Sequence, residues 1–321
     1  MQYSIVIVNW NGKEHLEECL DSLYKQTFKD FEIIIVDNGS TDGSKEFIRK
    51  NYPKVKLTEN SKNMGFEKPN NQGINIAKGD YILTLNNDIR ADKNFLKELL
   101  TASKKYPDAF FSCKMLFYSN PSKVNSKGLK LYYDAKAEDI DFNKEDVKNE
   151  EIKEVFGACG GAALFPRKLI DDISFEDFFD EDFFLYCEDL DISLRARLRG
   201  WKCYYVPKAV VYHKHNATAK KVPDIALYHY TKNKLFVIIK NYPLIFILKY
   251  SFIILLRQIV SSIYYLFRFN FTPIKARFAV LYYLPKMIRK RLKIQETRKI
   301  SNNEFNKWIL PRPILKSLFS N

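Results

Sequence analysis

Residues 32–43 have the sequence EIIIVDNGSTDG, and this stretch decides the fold class. Its first half is a continuous run of apolar, mostly β-branched residues, which is the composition of a strand buried on both faces. The run stops at Asp37 and Asn38, and the Gly, Ser, Thr and Asp residues that follow can turn the chain and cap a helix. A buried strand that leads through a polar turn into a helix is typical of a βαβ unit with parallel strands.

The same pattern recurs on both sides of this stretch. It predicts strands at residues 4–9, 55–59, 80–86 and 109–116, and helices at residues 13–27, after Pro69 and at residues 92–105. Alternating strands and helices predict an α/β fold with a mostly parallel central sheet flanked by helices. Ligands of such sheets bind beyond the carboxyl ends of the strands, where the polar residues 9–11, 37–38 and 86–88 are expected.

The region at residues 119–154 interrupts this alternation. It is polar, rich in Lys, Asp and Asn, and weakly patterned, so we expect a mobile insertion or a variable loop that faces the substrate. Regular structure resumes at the glycine-rich residues 157–166, where glycines in a strand indicate close packing. A pair of strands is predicted at residues 202–207 and 209–215.

The charge of the chain is concentrated in its last third. The formal net charge is +14, and the 18 Lys and Arg residues after residue 225 are opposed there only by Glu296 and Glu304. Because these bases alternate with long apolar runs, we expect an anionic membrane surface as their partner and no nucleic acid. The five cysteines are scattered without a CxxC pair, and residues 1–12 have the pattern of a strand instead of a signal peptide, so a cytoplasmic protein is expected.

One candidate site is centred on a single carboxylate after a strand. Asp88 follows Asn86 and Asn87, and a carboxylate with amide neighbours can hold a hard divalent cation that in turn holds a diphosphate. The same residue types also form ordinary turns. His213 and His215 alternate after a strand, so both rings are predicted on one side, and one of them is a candidate to complete the Asp88 site, although an isolated HxH is often incidental.

A second candidate site is a group of acids among aromatic residues. Glu188, Asp189 and Asp191 follow Phe183, Phe184 and Tyr186 closely in sequence. Burial among rings raises the pKa of a carboxyl group and suits it to general base catalysis. Asp191 also has a structural interpretation, because it can pair with Arg195 one helical turn later.

These clusters, in this order, resemble family 2 glycosyltransferases of the GT-A fold, and most of all the rhamnosyltransferase-like branch. The match covers about residues 3–215 and rests on six ordered motifs, each weak by itself. They are VNWNG at 8–12, VDNGSTDGS at 36–44, NMGF with NQG at 63–73, LNND at 85–88, FDEDFFLYCEDLDISLR at 179–195, and a final Pro207, Ala209 and His213.

The resemblance implies a role for each matched residue. The residues implied to bind the nucleotide sugar are Asn9, Asn11, Asp37, Asn38, Asn71, Asn86 and Asn87. Asp88 and His213 would hold Mg²⁺ or Mn²⁺. Asp189 would be the general base that deprotonates an acceptor hydroxyl for inverting transfer, with Glu188 and Asp191 supporting the acceptor side.

Three features depart from the family pattern. Glu67, Lys68 and Pro69 follow the NMGF motif, where family members have small residues. The metal-binding motif carries one carboxylate in place of two. Lys232-Asn233 resembles an RN segment of the family with Lys in the Arg position. A compact ammonium group thus stands in place of a planar guanidinium group with several hydrogen-bond donors.

We predict a catalytic domain at residues 1–225, with a nucleotide-sugar half at 1–110 and an acceptor half at 111–225, and a basic amphipathic helical extension at 226–321. In the extension, polar residues between positions 244 and 268 fall within an arc of about 120° on a helix that is otherwise apolar. This pattern favours a helix in the plane of a membrane, with a spanning helix and a soluble core helix as alternatives. The basic residues 286–293 are expected to attract anionic lipid.

The resulting prediction is an inverting glycosyltransferase at the inner face of the cell membrane. It would transfer rhamnose or a related hexose from a dTDP- or UDP-linked donor to a glycan or lipid-linked glycan in cell-surface polysaccharide synthesis. A sugar-nucleotide nucleotidyltransferase would share the α/β layout, but it needs a glycine-rich basic phosphate loop where this chain has NWNGKEH. A catalytically degenerate membrane-bound scaffold is the third possibility.

Overall fold

A computed structural model describes residues 2–214 and 223–311. In chain order, its strands are β1 (Tyr3–Asn9), β2 (Phe31–Asp37), β3 (Lys56–Glu59), β4 (Tyr81–Leu85), β5 (Ile89–Ala91), β6 (Ala109–Phe117), β7 (Val124–Ser126), β8 (Leu129–Tyr132), β9 (Ala137–Asp139), β10 (Lys153–Val155), β11 (Ala162–Pro166), β12 (Lys202–His213) and β13 (Ile309–Leu310). Its helices are α1 (Lys13–Tyr24), α2 (Ser44–Asn51), α3 (Glu67–Ile76), α4 (Phe95–Lys105), α5 (Arg167–Ile173), α6 (Glu188–Leu198), α7 (Pro223–Asn241), α8 (Leu244–Leu266), α9 (Thr272–Glu296) and α10 (Asn302–Asn306).

The centre of the molecule is a mixed sheet with the strand order β10-β12-β6-β11-β4-β1-β2-β3, and β5 and β7 pair with β12 and β6 beside this path. Strands β3, β2, β1 and β4 are parallel neighbours. Strand β11 lies antiparallel between β4 and β6, and β6 is parallel to β12. The predicted α/β fold with a mostly parallel sheet between helices is therefore confirmed.

Both faces of the sheet are covered, because the central strands are apolar on both sides. In β1, Ile5 and Ile7 join the cluster packed against α1 and α4, while Val6 joins the cluster on the opposite face with α3, α5 and α6. Alternate residues of one strand thus enter two cores, as expected for a strand whose central residues are all apolar. The polar residues at the strand ends are left to line the carboxyl edge of the sheet.

Helix α3 lies unusually close to the sheet at Gly73. A Cβ atom at this position would overlap the Cγ1 atom of Val6, and Val36 lies next to it. Both valines are completely buried in the sheet. The glycine therefore sets the distance between α3 and the strands that end at the candidate site.

Two of the predictions of secondary structure were wrong. Residues 119–154 contain four short strands, because β7 and β10 extend the main sheet while β8 and β9 form a second sheet with β13. The predicted strand pair near the end of the catalytic part is one strand, β12, whose pairing with β6 shifts register between Val206 and Val210. A bulge at this shift keeps the chain in the sheet where Pro207 cannot donate a ladder hydrogen bond.

The helices after residue 222 pack directly on the preceding part of the chain. One apolar cluster contains Leu190 and Leu194 of α6, Phe236 of α7 and Met287 of α9. The C-terminal strand β13 also pairs with β8. Residues 226–311 are therefore joined to the predicted acceptor half by a common core.

We predict that Gly73→Ala lowers the free energy of unfolding by about 1–3 kcal/mol, because the added methyl group forces buried valines or the helix to move. Equilibrium denaturation in urea measures this change. Ile76→Ala on the same helix is the control, since Ile76 is 43% exposed and its truncation is expected to change stability by less than about 0.5 kcal/mol. Equal stability of the wild type and Gly73→Ala would contradict the close approach of α3.

Candidate active site

A cavity of about 510 Å³ lies at the carboxyl edge of the central sheet. Seven of the twelve predicted site residues line it: Asn38, Asn86, Asn87, Asp88, Glu188, Asp189 and His213. They come from the ends of β2, β4 and β12 and from the start of α6. The position agrees with the general rule for ligands of parallel α/β sheets.

Asn9 and Asp37 lie behind this wall and hold it together. The Nδ2 atom of Asn9 donates to Asp37 Oδ2 at 2.9 Å and to Ser40 Oγ at 3.2 Å, and Asn87 Nδ2 donates to Asn9 Oδ1 at 2.8 Å. Asn9 and Asp37 are completely buried. The two residues thus connect the ends of β1 and β2 with the turn after β4, and they do not line the cavity.

The two other amides near the first turns also bind protein groups. Asn11 has a left-handed backbone (φ 47°), and its Oδ1 accepts from the Thr41 backbone N at 2.8 Å. Asn38 lines the cavity, and its Nδ2 donates to Asn63 Oδ1 at 2.9 Å and to the Gly65 carbonyl at 2.7 Å. Asn38 therefore orders the NMGF segment, which contributes Asn63, Gly65 and Phe66 to the cavity wall.

Asn71 and Asp191 lie outside the cavity wall. Asn71 exchanges two hydrogen bonds with the backbone of Phe179, at 2.8 and 2.9 Å. Asp191 is 1% exposed and pairs with Arg195 at 2.9 Å and with Lys240 at 3.0 Å. The structural interpretation of Asp191 as the partner of Arg195 thus accounts for its contacts, and these contacts direct its carboxylate away from the cavity.

Asp88 and His213 face each other in the cavity. The Asp88 Oδ1 atom is 3.2 Å from His213 Nε2, and His213 Nδ1 lies 2.7 Å from Asn125 Oδ1. Burial alone would raise the pKa of Asp88, but the hydrogen bond and charge of His213 outweigh it and lower that pKa. If Nδ1 carries the ring proton toward Asn125, Nε2 presents a lone pair to the carboxylate, and a cation between the two atoms satisfies both.

The acids at the start of α6 differ from Asp88, because their pKa values are raised instead of lowered. Burial raises the pKa of Glu188 to about 8, with a further contribution from the charge of Asp189. Burial also raises the pKa of Asp189, whose Oδ2 accepts from the Gly160 backbone N at 3.1 Å and whose Oδ1 accepts from the Leu190 N at 2.7 Å. These backbone donors favour the ionised form of Asp189, so of the two acids Glu188 is the one that holds a proton at neutral pH.

Two residues of the 119–154 region complete the wall, and no pattern in the sequence indicated them. Asn125 of β7 orients His213, and Asp139 of β9 lines the cavity. Burial raises the pKa of Asp139 to about 6, which the nearby charge of Asp189 reinforces. Trp10 is a third cavity residue; it lies inside the VNWNG motif, but only the amides of that motif were predicted to bind ligand.

The sequence also singled out His215, as a possible metal ligand, and Glu67, as a departure from the family pattern. His215 lies outside the described residues, and within the described ranges 2–214 and 223–311 no group of three or more His, Cys, Asp and Glu side chains could hold a metal ion. Glu67 is completely buried, and burial together with the charge of Glu188 raises its pKa well above the usual value. Glu67, which departs from the family pattern after the NMGF motif, is therefore a third acid near Glu188 and Asp189 at the start of α6.

Comparison with known proteins agrees with this arrangement. The sequence profile of glycosyl transferase family 2 matches residues 4–174. An N-acetylglucosaminyl-diphospho-decaprenol L-rhamnosyltransferase of Mycobacterium tuberculosis is 25% identical over 257 residues, which cover 72% of this chain and 82% of that protein.

Two solved structures share the fold at low identity. Residues 1–349 of Staphylococcus aureus TarS are 18% identical with a TM-score of 0.53, and the match covers 92% of this chain and 91% of that one. GalNAc-T7, solved with UDP, GalNAc and Mn²⁺, is 18% identical with a TM-score of 0.59, and the match covers 74% of this chain and 47% of that one.

The family profile covers more than half of the chain and includes the strand ends that carry Asp37 and Asp88. The GT-A fold of the solved neighbours is shared over 74% and 92% of this chain. The chain therefore belongs to glycosyltransferase family 2, and it is a GT-A glycosyltransferase similar to rhamnosyltransferases.

Proposed function

We propose that this enzyme transfers a hexose, with inversion, from a nucleoside-diphosphate sugar to a hydroxyl group of a lipid-linked glycan. The observation that supports this proposal is the placement of the Asp88–His213 pair and of Asp189 in the wall of one cavity. The Asp88–His213 pair is suited to the diphosphate group of the donor, and Asp189 is suited to the acceptor. Membership of the glycosyltransferase family argues against the nucleotidyltransferase alternative. The presence of Asp88, His213 and Asp189 in one cavity argues against a catalytically degenerate scaffold.

Asp88 and His213 are the residues that we propose to hold a divalent cation. The carboxylate and the imidazole lone pair fit Mg²⁺ or Mn²⁺, and Asn125 fixes the ring through its other nitrogen. When bound, the cation neutralises the charge that develops on the departing diphosphate. Within the described ranges 2–214 and 223–311 no larger group of metal-binding side chains is present, so these two residues would hold the cation together with oxygen atoms of the ligand or of water.

We assign the general base to Asp189 and not to Glu188. Glu188, with a pKa of about 8, is protonated at neutral pH and is suited to donate a hydrogen bond. Asp189 takes the proton of the acceptor hydroxyl, the hydroxyl oxygen forms a bond to the anomeric carbon, and the bond from that carbon to the diphosphate breaks with its electron pair leaving on phosphate oxygen. Attack from the side opposite the leaving group inverts the anomeric centre.

The C-terminal helices support a membrane-bound acceptor. Of the residues of α8, all of which are described, only Phe246 is buried, which argues against the interpretation of this helix as part of a soluble core. Apart from Tyr264, its exposed apolar side chains fall within an arc of about 100° at 3.6 residues per turn. They are Leu244, Ile245, Leu248, Phe252, Leu255, Ile259, Ile263 and Leu266.

The opposite face of α8 binds the protein. Arg257 forms an ion pair with Asp134, and Gln258 accepts a hydrogen bond from Arg277 of α9 at 2.9 Å. A helix that spans the membrane would have to leave these partners, so an orientation in the membrane plane is favoured. The apolar face continues on α9 through Phe278, Leu281 and Tyr282, which are 62–82% exposed. We therefore propose that the enzyme lies on the inner face of the cell membrane.

The predicted role of the basic residues 286–293 needs correction. Lys286 and Lys290 pair with Asp182, and Lys290 also pairs with Asp180. Arg291 donates to the backbone carbonyls of Ile239 and Tyr242. Part of this positive charge thus has partners within the protein, which leaves the apolar surface of α8 and α9 as the main proposed membrane contact.

We predict that Asp189→Asn lowers the rate of sugar transfer by roughly 10²–10⁴-fold, because the amide cannot accept the hydroxyl proton. The assay uses dTDP-rhamnose and UDP-hexoses as donors with a short-chain N-acetylglucosaminyl-diphospho-prenol as acceptor. Since burial raises the pKa of Asp189, the wild-type rate should fall on the acid side as this base becomes protonated. Glu181→Gln, an exposed acid of the preceding segment, is expected to retain activity. Unchanged transfer by Asp189→Asn would refute the base assignment.

We predict that Asp88→Asn abolishes the thermal stabilisation that UDP or dTDP gives together with Mn²⁺. Ligands that bind the folded protein at 100 times their Kd stabilise it by about 2.7 kcal/mol, and loss of the cation removes this gain. Chelation of the wild type by EDTA should have the same effect and be reversed by Mn²⁺. Asp80→Asn, an exposed acid directly before β4 and so at the opposite end of that strand from Asp88, is the control. Equal stabilisation of Asp88→Asn and the wild type would exclude Asp88 as a ligand.

We predict that the double variant Phe252→Glu, Phe278→Glu binds anionic vesicles roughly 100-fold more weakly than the wild type. Each buried Phe contributes about 1.5–3 kcal/mol, so that two substitutions remove at least 3 kcal/mol. Sedimentation with vesicles of phosphatidylglycerol and phosphatidylcholine measures the partition. Val147→Glu introduces the same charge at an exposed apolar side chain (58% exposed) outside α8 and α9, and it is expected to leave binding unchanged. Full binding by the double variant would exclude this surface.

A further inference from the structure

The segment that leads into the proposed base is strained. Residues 183–187 directly precede α6, which begins with Glu188 and Asp189, and Phe184 and Tyr186 line the cavity. Phe184, Tyr186 and Cys187 have φ angles of 67°, 70° and 68°. Residues other than glycine rarely adopt this left-handed backbone, and they keep it only when the surrounding structure holds them.

The group that holds this segment is the side chain of Asn233 on α7. Its Nδ2 atom lies 3.0 Å from the carbonyl oxygen of Phe183 and 2.8 Å from those of Leu185 and Tyr186. Asn233 is completely buried. Because three carbonyl oxygens surround this end of the amide, the nitrogen must face them, and the orientation of the amide is chemically determined.

Neighbouring residues of α7 bind the same segment. His229 Nδ1 lies 2.8 Å from the Phe183 carbonyl oxygen, and its ring stacks on Phe184 with 4.8 Å between centroids. Lys232 Nζ donates to the Asp182 carbonyl at 2.6 Å. Three residues of α7 therefore bind the backbone of the segment in front of α6, although all three lie beyond the predicted catalytic domain.

We infer that Asn233 is a positioning residue for catalysis, which keeps the strained segment closed and thereby fixes Asp189 in the cavity wall. This inference rests on the proposed role of Asp189. A base must lie within hydrogen-bonding distance of the acceptor hydroxyl, and a displacement of about 1 Å can lower the rate by about 100-fold. Asn233 touches neither donor nor acceptor in this account; it acts through the backbone of residues 183–187.

The test compares two buried asparagines of the same helix. Asn241 is also completely buried, but its Nδ2 donates to Asp191 at 2.8 Å and not to the segment. Asn233→Ala and Asn241→Ala are both expected to lower the Tm. Only Asn233→Ala is expected to speed hydrogen exchange at residues 183–187, by at least tenfold, and to lower kcat by roughly 10–100-fold with the donor KM unchanged. If Asn233→Ala does not fold, Asn233→Ser keeps one donor and should give intermediate values.

Equal exchange at residues 183–187 in the two alanine variants, or a kcat of Asn233→Ala equal to that of the wild type, would overturn the inference. The exchange measurement needs no substrate. If the wild type transfers no sugar between the donors and the acceptor used above, the proposed function fails, while the exchange comparison still decides whether Asn233 holds the segment. Faster exchange only in the Asn233 variants, together with the loss of kcat, supports the inference.

Discussion

The buried amide of Asn9 determines how the carboxyl edge of the sheet is arranged. It binds Asp37 at the end of β2, Ser40 in the following turn and Asn87 after β4, so that three strand ends share one hydrogen-bonded centre. Leaving this buried amide without partners would cost about 1–3 kcal/mol. Its hydrogen bonds therefore keep each of the three strand ends in place. The positions of the residues by which the turns after these strands line the cavity, Asn38 and Asp88 among them, follow from that arrangement.

A second constraint is the cost of burying charge. Asp180 and Asp191 lie close together inside the protein, and Lys240, Lys290 and Arg195 are their partners. An isolated carboxylate in such a place would be protonated or destabilising, whereas paired ones are tolerated. Part of the positive charge of the C-terminal third thus pairs with acids of the predicted catalytic domain. These ion pairs attach α7 and α9 to the segment in front of the proposed base.

Much of the fold was predictable because its signals are local. Continuous apolar runs such as residues 32–36 predicted buried parallel strands, and the polar residues after them predicted the edge where the cavity lies. The region at residues 119–154 was not predictable, since its strands have only three or four residues each, and β8 and β10 pair with the distant strands β13 and β12. Asn125 acquires its contact with His213 across 88 positions, and no periodicity in the sequence records such a contact.

The sequence by itself determined the family, the parallel sheet and the order of the polar clusters, because strand composition and motif order are properties of consecutive residues. Only the tertiary structure decided which polar side chains face the cavity and which ones support it. Asn9 and Asn38 are both amides at strand ends, yet one is enclosed by neighbouring turns and the other lines the cavity. Asp189 and Asp191 stand two residues apart in one helix, and the approach of Lys240 from α7 directs only Asp191 into an internal ion pair. Such differences depend on packing between distant segments, which sets the burial and the electrostatic partners of each group.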